Sequence, residues 1–234
     1  MSTFHFKKFA IRQSNSALKV GTDAMVLGAF VDVANKKKGL DIGTGTGVLA
    51  LMQVQKSLSL KVLAVELDSS SCEDAFYNFK NSNYSDQLLL ENIDFLKLPE
   101  NESYDLLFSN PPYYQNTLKG EKQNVNLAKH VQELTPVNLF KKVHSLLELK
   151  GEFWVIWPHA TSELFEEIAM NSGLYLVKKI IVNGKPEEPV RIIYCFSKEQ
   201  PLAIVMRDFT IRDQKGNYTD EYKNLTLEFH NKKL

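Results

Sequence analysis

Cysteine is nearly absent: the chain of 234 residues has two, Cys72 and Cys195, and no Cys-x-x-Cys. That excludes a disulfide scaffold and a cysteine-built zinc site, and it points to a reducing compartment, the cytoplasm. Long apolar runs are missing too. Stretches such as Val62–Val65 and Phe153–Trp157 fall far short of the roughly 18 residues a membrane helix needs. The start, Met1-Ser-Thr-Phe-His-Phe-Lys-Lys, has no apolar signal region, so export is not expected. The histidines (5, 130, 144, 159, 230) show no metal-ligand spacing, so no metal is expected.

Neither sign of charge is in excess, with 28 Lys and Arg against 28 Asp and Glu. A protein coated with cations for nucleic acid is therefore not expected. The distribution is uneven. Residues 1–39 hold seven basic against two acidic side chains, residues 40–113 four against eleven, and residues 114–234 seventeen against fifteen. A basic start beside an acidic middle suggests that different faces meet different partners.

Ordinary globular composition, 44% hydrophobic and 24% charged, leaves room for a sizeable core. The spacing of apolar residues predicts helices over Val20–Ala34 (capped by Thr22 or Asp23), Val48–Lys56, Ser70–Asn81, Pro136–Leu149 and Thr161–Ser172, the last closed by Gly173. Strands are predicted over Gly39–Ile42, Lys61–Leu67, Leu88–Ile93, Tyr104–Ser109, Gly151–Trp157, Tyr175–Val182, Ile192–Ser197 and Leu202–Met206. Trp154 and Trp157 read as core. Strands alternating with helices predict an α/β fold, a parallel sheet covered on both faces. The short link Asn183–Val190 predicts an antiparallel hairpin at one edge. The chain reads as one domain over 1–234, with 1–35 as an N-terminal extension and helix.

Two turns carry the chemistry. Asp41-Ile-Gly43-Thr-Gly45-Thr-Gly47 follows a predicted strand and opens a predicted helix. Glycines there allow a sharp turn and let a ligand approach the main chain at a helix N-terminus. Gly45-x-Gly47-x-x-Ala50 fits a dinucleotide turn. Asp41-x-Gly43-x-Gly45-x-Gly47 also matches the first motif of S-adenosylmethionine-dependent methyltransferases, in which the acidic residue organises the loop. In either reading Glu66, at the end of the next strand, accepts from ribose hydroxyls.

The second turn is Asn110-Pro111-Pro112-Tyr113. Two prolines fix an extended exit from the strand and leave carbonyls as the free polar groups. An aromatic NH2 is a poor nucleophile because its lone pair is delocalised. Two acceptors, the Asn110 side-chain oxygen and the Pro111 carbonyl, can bind its two hydrogens, draw the nitrogen toward tetrahedral geometry and aim the lone pair. Tyr113 can stack on the base.

The two motifs, in this order and separation, resemble the class I adenine/amine N-methyltransferases. The closer resemblance is to the bacterial tRNA1(Val) adenine-37 N6-methyltransferase family. It extends to Phe4–Phe9, Lys19–Ala24 with Leu27-Gly28, Ala64–Glu66, and Tyr218-Thr-x-Glu221 with Leu225. Tyr114 stands where that family most often has Phe. The resemblance implies a seven-stranded sheet whose last strands form an antiparallel hairpin, S-adenosylmethionine as cofactor and tRNA as partner, in a monomer or weak dimer. It implies that Gly43, Gly45 and Gly47 approach the cofactor by backbone, Asp41 orders the loop, Glu66 takes the ribose and Asp94 the adenine amino group, while Thr22 and Asp23 touch the methionine end. Lys7, Lys8 and Arg12, interleaved with Phe residues, suit an RNA edge or an apolar anchor for an N-terminal arm. Methylation of a protein glutamine amide, and nicotinamide-dependent oxidoreduction, are the competing readings.

Overall fold

A computed structural model describes residues 3–16, 19–112 and 134–230. Tyr113, Tyr114, His130 and the predicted polar loop over 115–130 lie outside the described residues. The chain opens with a hairpin, β1 (Thr3–His5) and β2 (Ala10–Arg12). There follow α1 (Thr22–Phe30), β3 (Lys38–Ile42), α2 (Val48–Lys56), β4 (Lys61–Glu66), α3 (Ser69–Lys80), β5 (Leu88–Asn92) and β6 (Tyr104–Ser109). Then come α4 (Pro136–Leu146), β7 (Leu147–Pro158), α5 (Ser162–Asn171), β8 (Tyr175–Asn183), β9 (Pro189–Ser197), β10 (Val205–Thr210) and α6 (Asp220–Thr226).

Eight strands form one sheet in the order β10-β8-β9-β7-β6-β3-β4-β5. Among the described strands of this sheet, β9 alone runs antiparallel to its neighbours. The seven strands that the resemblance implies are thus eight among the described residues, the number the apolar pattern predicts, because β10 pairs in parallel with β8 and moves the β8–β9 hairpin off the edge. The start of β10 falls at Val205, beyond the apolar cluster that suggested Leu202, because Phe209 is the residue that packs. Its ring meets Phe30 edge-on at 5.0 Å.

Strand periodicity sorts β7 between two cores. Trp154 and Ile156 face one side, with α1, α2, α3 and the β1–β2 hairpin. Phe153, Val155 and Trp157 face the other, with α4 and α5. The predicted helix over Pro136–Leu149 stops at Leu146, since Leu147 already pairs with Tyr104. The N-terminal residues are part of the first core, not an appendage: Phe6, Phe9 and Ile11 are buried, and Phe6 bridges to His230.

On the second face Phe140 is fully buried among Phe153, Phe165 and Phe196, with centroids 4.7–6.1 Å away. Phe140→Ala is expected to cost about 3–5 kcal/mol. Urea denaturation should show a lower midpoint with an unchanged slope.

Candidate functional site

Strands β4, β3 and β6 are adjacent and parallel, and their ends are in register: Val65 lies opposite Ile42, and Ile42 opposite Ser109. The next residues are Glu66, Gly43 and Asn110. With neighbouring strands about 4.8 Å apart, these three stand in a row about 10 Å long at the carboxyl rim of the sheet. Ser109 Oγ donates to the Ile42 carbonyl at 2.8 Å and locks the two strand ends together just before Asn110. Pro111 is buried and Pro112 exposed.

Three residues of the glycine turn have positive φ: Gly43 (68°), Gly45 (56°) and Gly47 (82°). A Cβ added at Gly43 or Gly45 would meet nothing within 4 Å, so the turn borders open space there. At Gly47 it would lie 2.3 Å from Phe79, so this glycine is required by packing. Four of the turn's N–H groups are engaged: Gly43 and Thr44 donate to the Val65 carbonyl, Gly45 to Glu66 and Gly47 to the Thr44 carbonyl. What Gly43 and Gly45 offer a ligand is therefore clearance rather than these donors.

Asp41 is fully buried beneath the turn. Its Oδ2 accepts from Thr44 Oγ1 at 2.6 Å and from the Ala50 N–H at 3.1 Å. Its Oδ1 is buried and has no hydrogen-bond partner among the described residues. Burial pushes this carboxyl up to about 7; the bonds from Thr44 and Ala50 oppose the rise and the charge of Glu66 adds to it. Glu66 spans two turns: Oε2 accepts from Gly45 N–H and Oε1 from Asp68 N–H, both at 2.9 Å. Each oxygen keeps a lone pair.

The other predicted residues fall as follows. Asp94 lies beyond β5 on the same rim and caps a short helical turn, accepting from Leu96 N–H at 3.0 Å. Thr22 begins α1, whose N-cap is Gly21, without a side-chain cap bond. Asp23 pairs instead with Arg191 of β9 at 2.9 Å. Lys7, Lys8 and Arg12 do not join the rim. The Lys7 N–H donates to the Phe229 carbonyl, and Gln55, near the C-terminus of α2, donates to the Glu228 carbonyl. The two lysines thus sit toward the end of α2 remote from the glycine turn. Arg12 is nearer, but its guanidinium pairs with Asp74 at 2.8 Å and stacks on Tyr77 at 4.2 Å. Phe6 and Phe9, beside the lysines, are the buried anchors of this arm. Sequence reasoning missed Thr44 and Ser109; a small hydroxyl inside or beside each motif was the available signal.

A family model described as the methyltransferase small domain matches residues 13–172. The tRNA1(Val) (adenine(37)-N6)-methyltransferase of Trichodesmium erythraeum is 38% identical over 231 residues, with 97% of each chain covered. The protein of the same name from Bacteroides fragilis is 36% identical over 237 residues, again with 97% of each covered. Among solved structures, a predicted O-methyltransferase from Agrobacterium tumefaciens superposes with a TM-score of 0.66 at 14% identity, covering 88% of this chain and 96% of its own. A ribosomal protein L11 methylase from Lactobacillus delbrueckii gives 0.58 at 16%, covering 80% and 83%. At such identities these two speak for the fold alone.

Two stability measurements check the site. Gly45→Ala places a methyl in open space and should cost only about 1–2 kcal/mol for its left-handed backbone, whereas Gly47→Ala, against Phe79, should lower the melting temperature distinctly more. The Asp41 proton is held by the folded state between the unfolded value of 3.8 and about 7. Stability should therefore fall as pH rises through that window, by on the order of 4 kcal/mol, and Asp41→Asn should remove this part of the pH dependence.

Proposed function

The chain belongs to the tRNA1(Val) adenine-37 N6-methyltransferase family, and on that footing we propose how its carboxyl rim moves a methyl group to the N6 amine of an adenine in tRNA. It is a methyltransferase, and S-adenosylmethionine is the donor that its rim fits. The fit rests on two observations: open space beside Gly43 and Gly45, and the orphaned, buried Asp41 Oδ1 beneath them. When bound, S-adenosylmethionine would supply an electrophilic methyl carbon on a sulfonium, whose sulfur keeps the C–S electron pair and departs as the neutral thioether S-adenosylhomocysteine without proton transfer.

The chain's own residues do the rest. Asp41 fixes the turn through Thr44 and Ala50. The remaining lone pairs of Glu66 accept the ribose hydroxyls, and Asp94 accepts the adenine amino group of the donor. Thr22 and Asp23, at the N-terminus of α1, border the methionine end. Across the row, Asn110 Oδ1 and the Pro111 carbonyl accept the two hydrogens of the target amine. That holds the nitrogen lone pair on the donor side, a positioning effect with no strong base required. Tyr113 stacks on the target base. The step ends with the proton of the methylated amine passing to solvent. The observation that carries this reading is the single row Asn110–Gly43–Glu66 at the ends of three adjacent parallel strands. The enzyme acts in the cytoplasm, on tRNA.

Phosphate contacts fall to Lys185 and Lys215. They lie in the β8–β9 turn and the turn after β10, which adjoin through the Ile211 N–H to Asn183 and Arg212 N–H to Gly184 bonds on the same rim.

Asn110→Ala should lower the single-turnover methylation rate by about 10²–10³ and leave calorimetric donor affinity nearly intact. Gly45→Ala should abolish donor binding. An Asn110→Ala enzyme of normal rate would remove the clamp. Replacing Lys185 and Lys215 together by Ala should weaken tRNA binding and flatten its salt dependence, by up to about 1.8 units of slope at roughly 0.7–0.9 per phosphate.

A further inference from the structure

Helix α3 holds a fully buried carboxylate that no step above uses. Asp74 accepts four hydrogen bonds: at Oδ1 from Arg12 Nε (2.8 Å), and at Oδ2 from Asn15 N–H (2.8 Å), Ser16 N–H (2.9 Å) and Ser16 Oγ (2.9 Å). One helical turn on, Asn78 is also buried. Its Oδ1 accepts from Arg12 N–H at 2.7 Å, while Nδ2 donates to the Arg12 carbonyl at 2.9 Å and to the Thr46 carbonyl at 2.8 Å. Thr46 lies between Gly45 and Gly47. The next residue of α3, Phe79, fills the space behind Gly47. Helix α3 thus ties the glycine turn and the N-terminal segment to one another.

The Val20 N–H returns to Gln13 Oε1 at 2.8 Å, and Thr22 then starts α1, which packs beside α2. A fully bonded buried polar cluster fixes one arrangement of the pieces it joins. The apolar packing of α3 against the first core is carried by Ala75 and Phe79.

We propose that Asp74 and Asn78 are positioning residues for the methyl-donor site: they hold Arg12–Ser16 and the Thr46 peptide in the arrangement that receives the donor. This rests on the reading of the glycine turn as the donor site. Preorganisation of this kind lowers the ordering cost of binding, and neither residue touches the target amine.

Donor affinity should suffer and turnover should not. In Asp74→Ala and Asn78→Ala, the calorimetric Kd and the KM for S-adenosylmethionine should both rise about tenfold or more, with kcat within about twofold of wild type. Asp74→Asn, which keeps an oxygen for Asn15 and Ser16, should recover most of the affinity. Should the alanine variants not fold, Ser16→Ala removes one of the four bonds and should raise Kd about two- to threefold. In the wild type, donor binding should slow amide exchange over residues 12–16. Wild-type Kd in folded variants, a fall in kcat matching the rise in KM, or unchanged exchange would each overturn the assignment. A wild-type protein that binds no S-adenosylmethionine would instead defeat the donor-site reading itself.

Discussion

Strands β4, β3 and β6 run parallel and stop in step, and the geometry of the rim follows from that register. A slip of one residue would turn every side chain of β3 to the other face. It would carry Asp41 away from Thr44 and Ala50 and break the row Glu66–Gly43–Asn110. The hydroxyl of Ser109 on the Ile42 carbonyl holds the step between β3 and β6. On the other side, the Val65 carbonyl receives both Gly43 and Thr44 N–H.

The acidity of residues 40–113 has its cause in this arrangement. Asp41 accepts the Ala50 N–H; Glu66 those of Gly45 and Asp68; Asp68 that of Ser71; Asp74 those of Asn15 and Ser16. Asp94 accepts the Leu96 N–H, and Asp105 those of Lys37 and Lys38 at the start of β3. These carboxylates satisfy main-chain donors where strands give way to turns and helices. Six of the eleven acidic side chains in this stretch are thus fixed on main-chain N–H groups at turns, helix starts and strand starts.

What the sequence made legible is local. The helix over Val48–Lys56 and the strand over Tyr104–Ser109 have the predicted bounds, since each has a continuous apolar pattern closed by glycines, prolines or a lysine. The glycine turn and the Asn-Pro-Pro turn carry their backbone constraints in their own residues. What stayed hidden depends on distant partners. Strands β1 and β2 are three residues long and gain their place from Phe6 pairing with His230. Arg12 reads as a free cation until Asp74, 62 residues away, takes it. Asp23 reads as a helix cap until Arg191 meets it across 168 residues. The short helix α6 has too few turns to show a periodic face.

The most direct test follows the methyl group itself. The purified protein is incubated with unmodified tRNA1(Val) and a donor carrying a CD3 group, and the digested tRNA is analysed by mass spectrometry. The account predicts a CD3 label on the N6 amine of adenine 37 and on no other nucleoside. Label at another base, or transfer only to a protein glutamine amide offered in the same mixture, would contradict it.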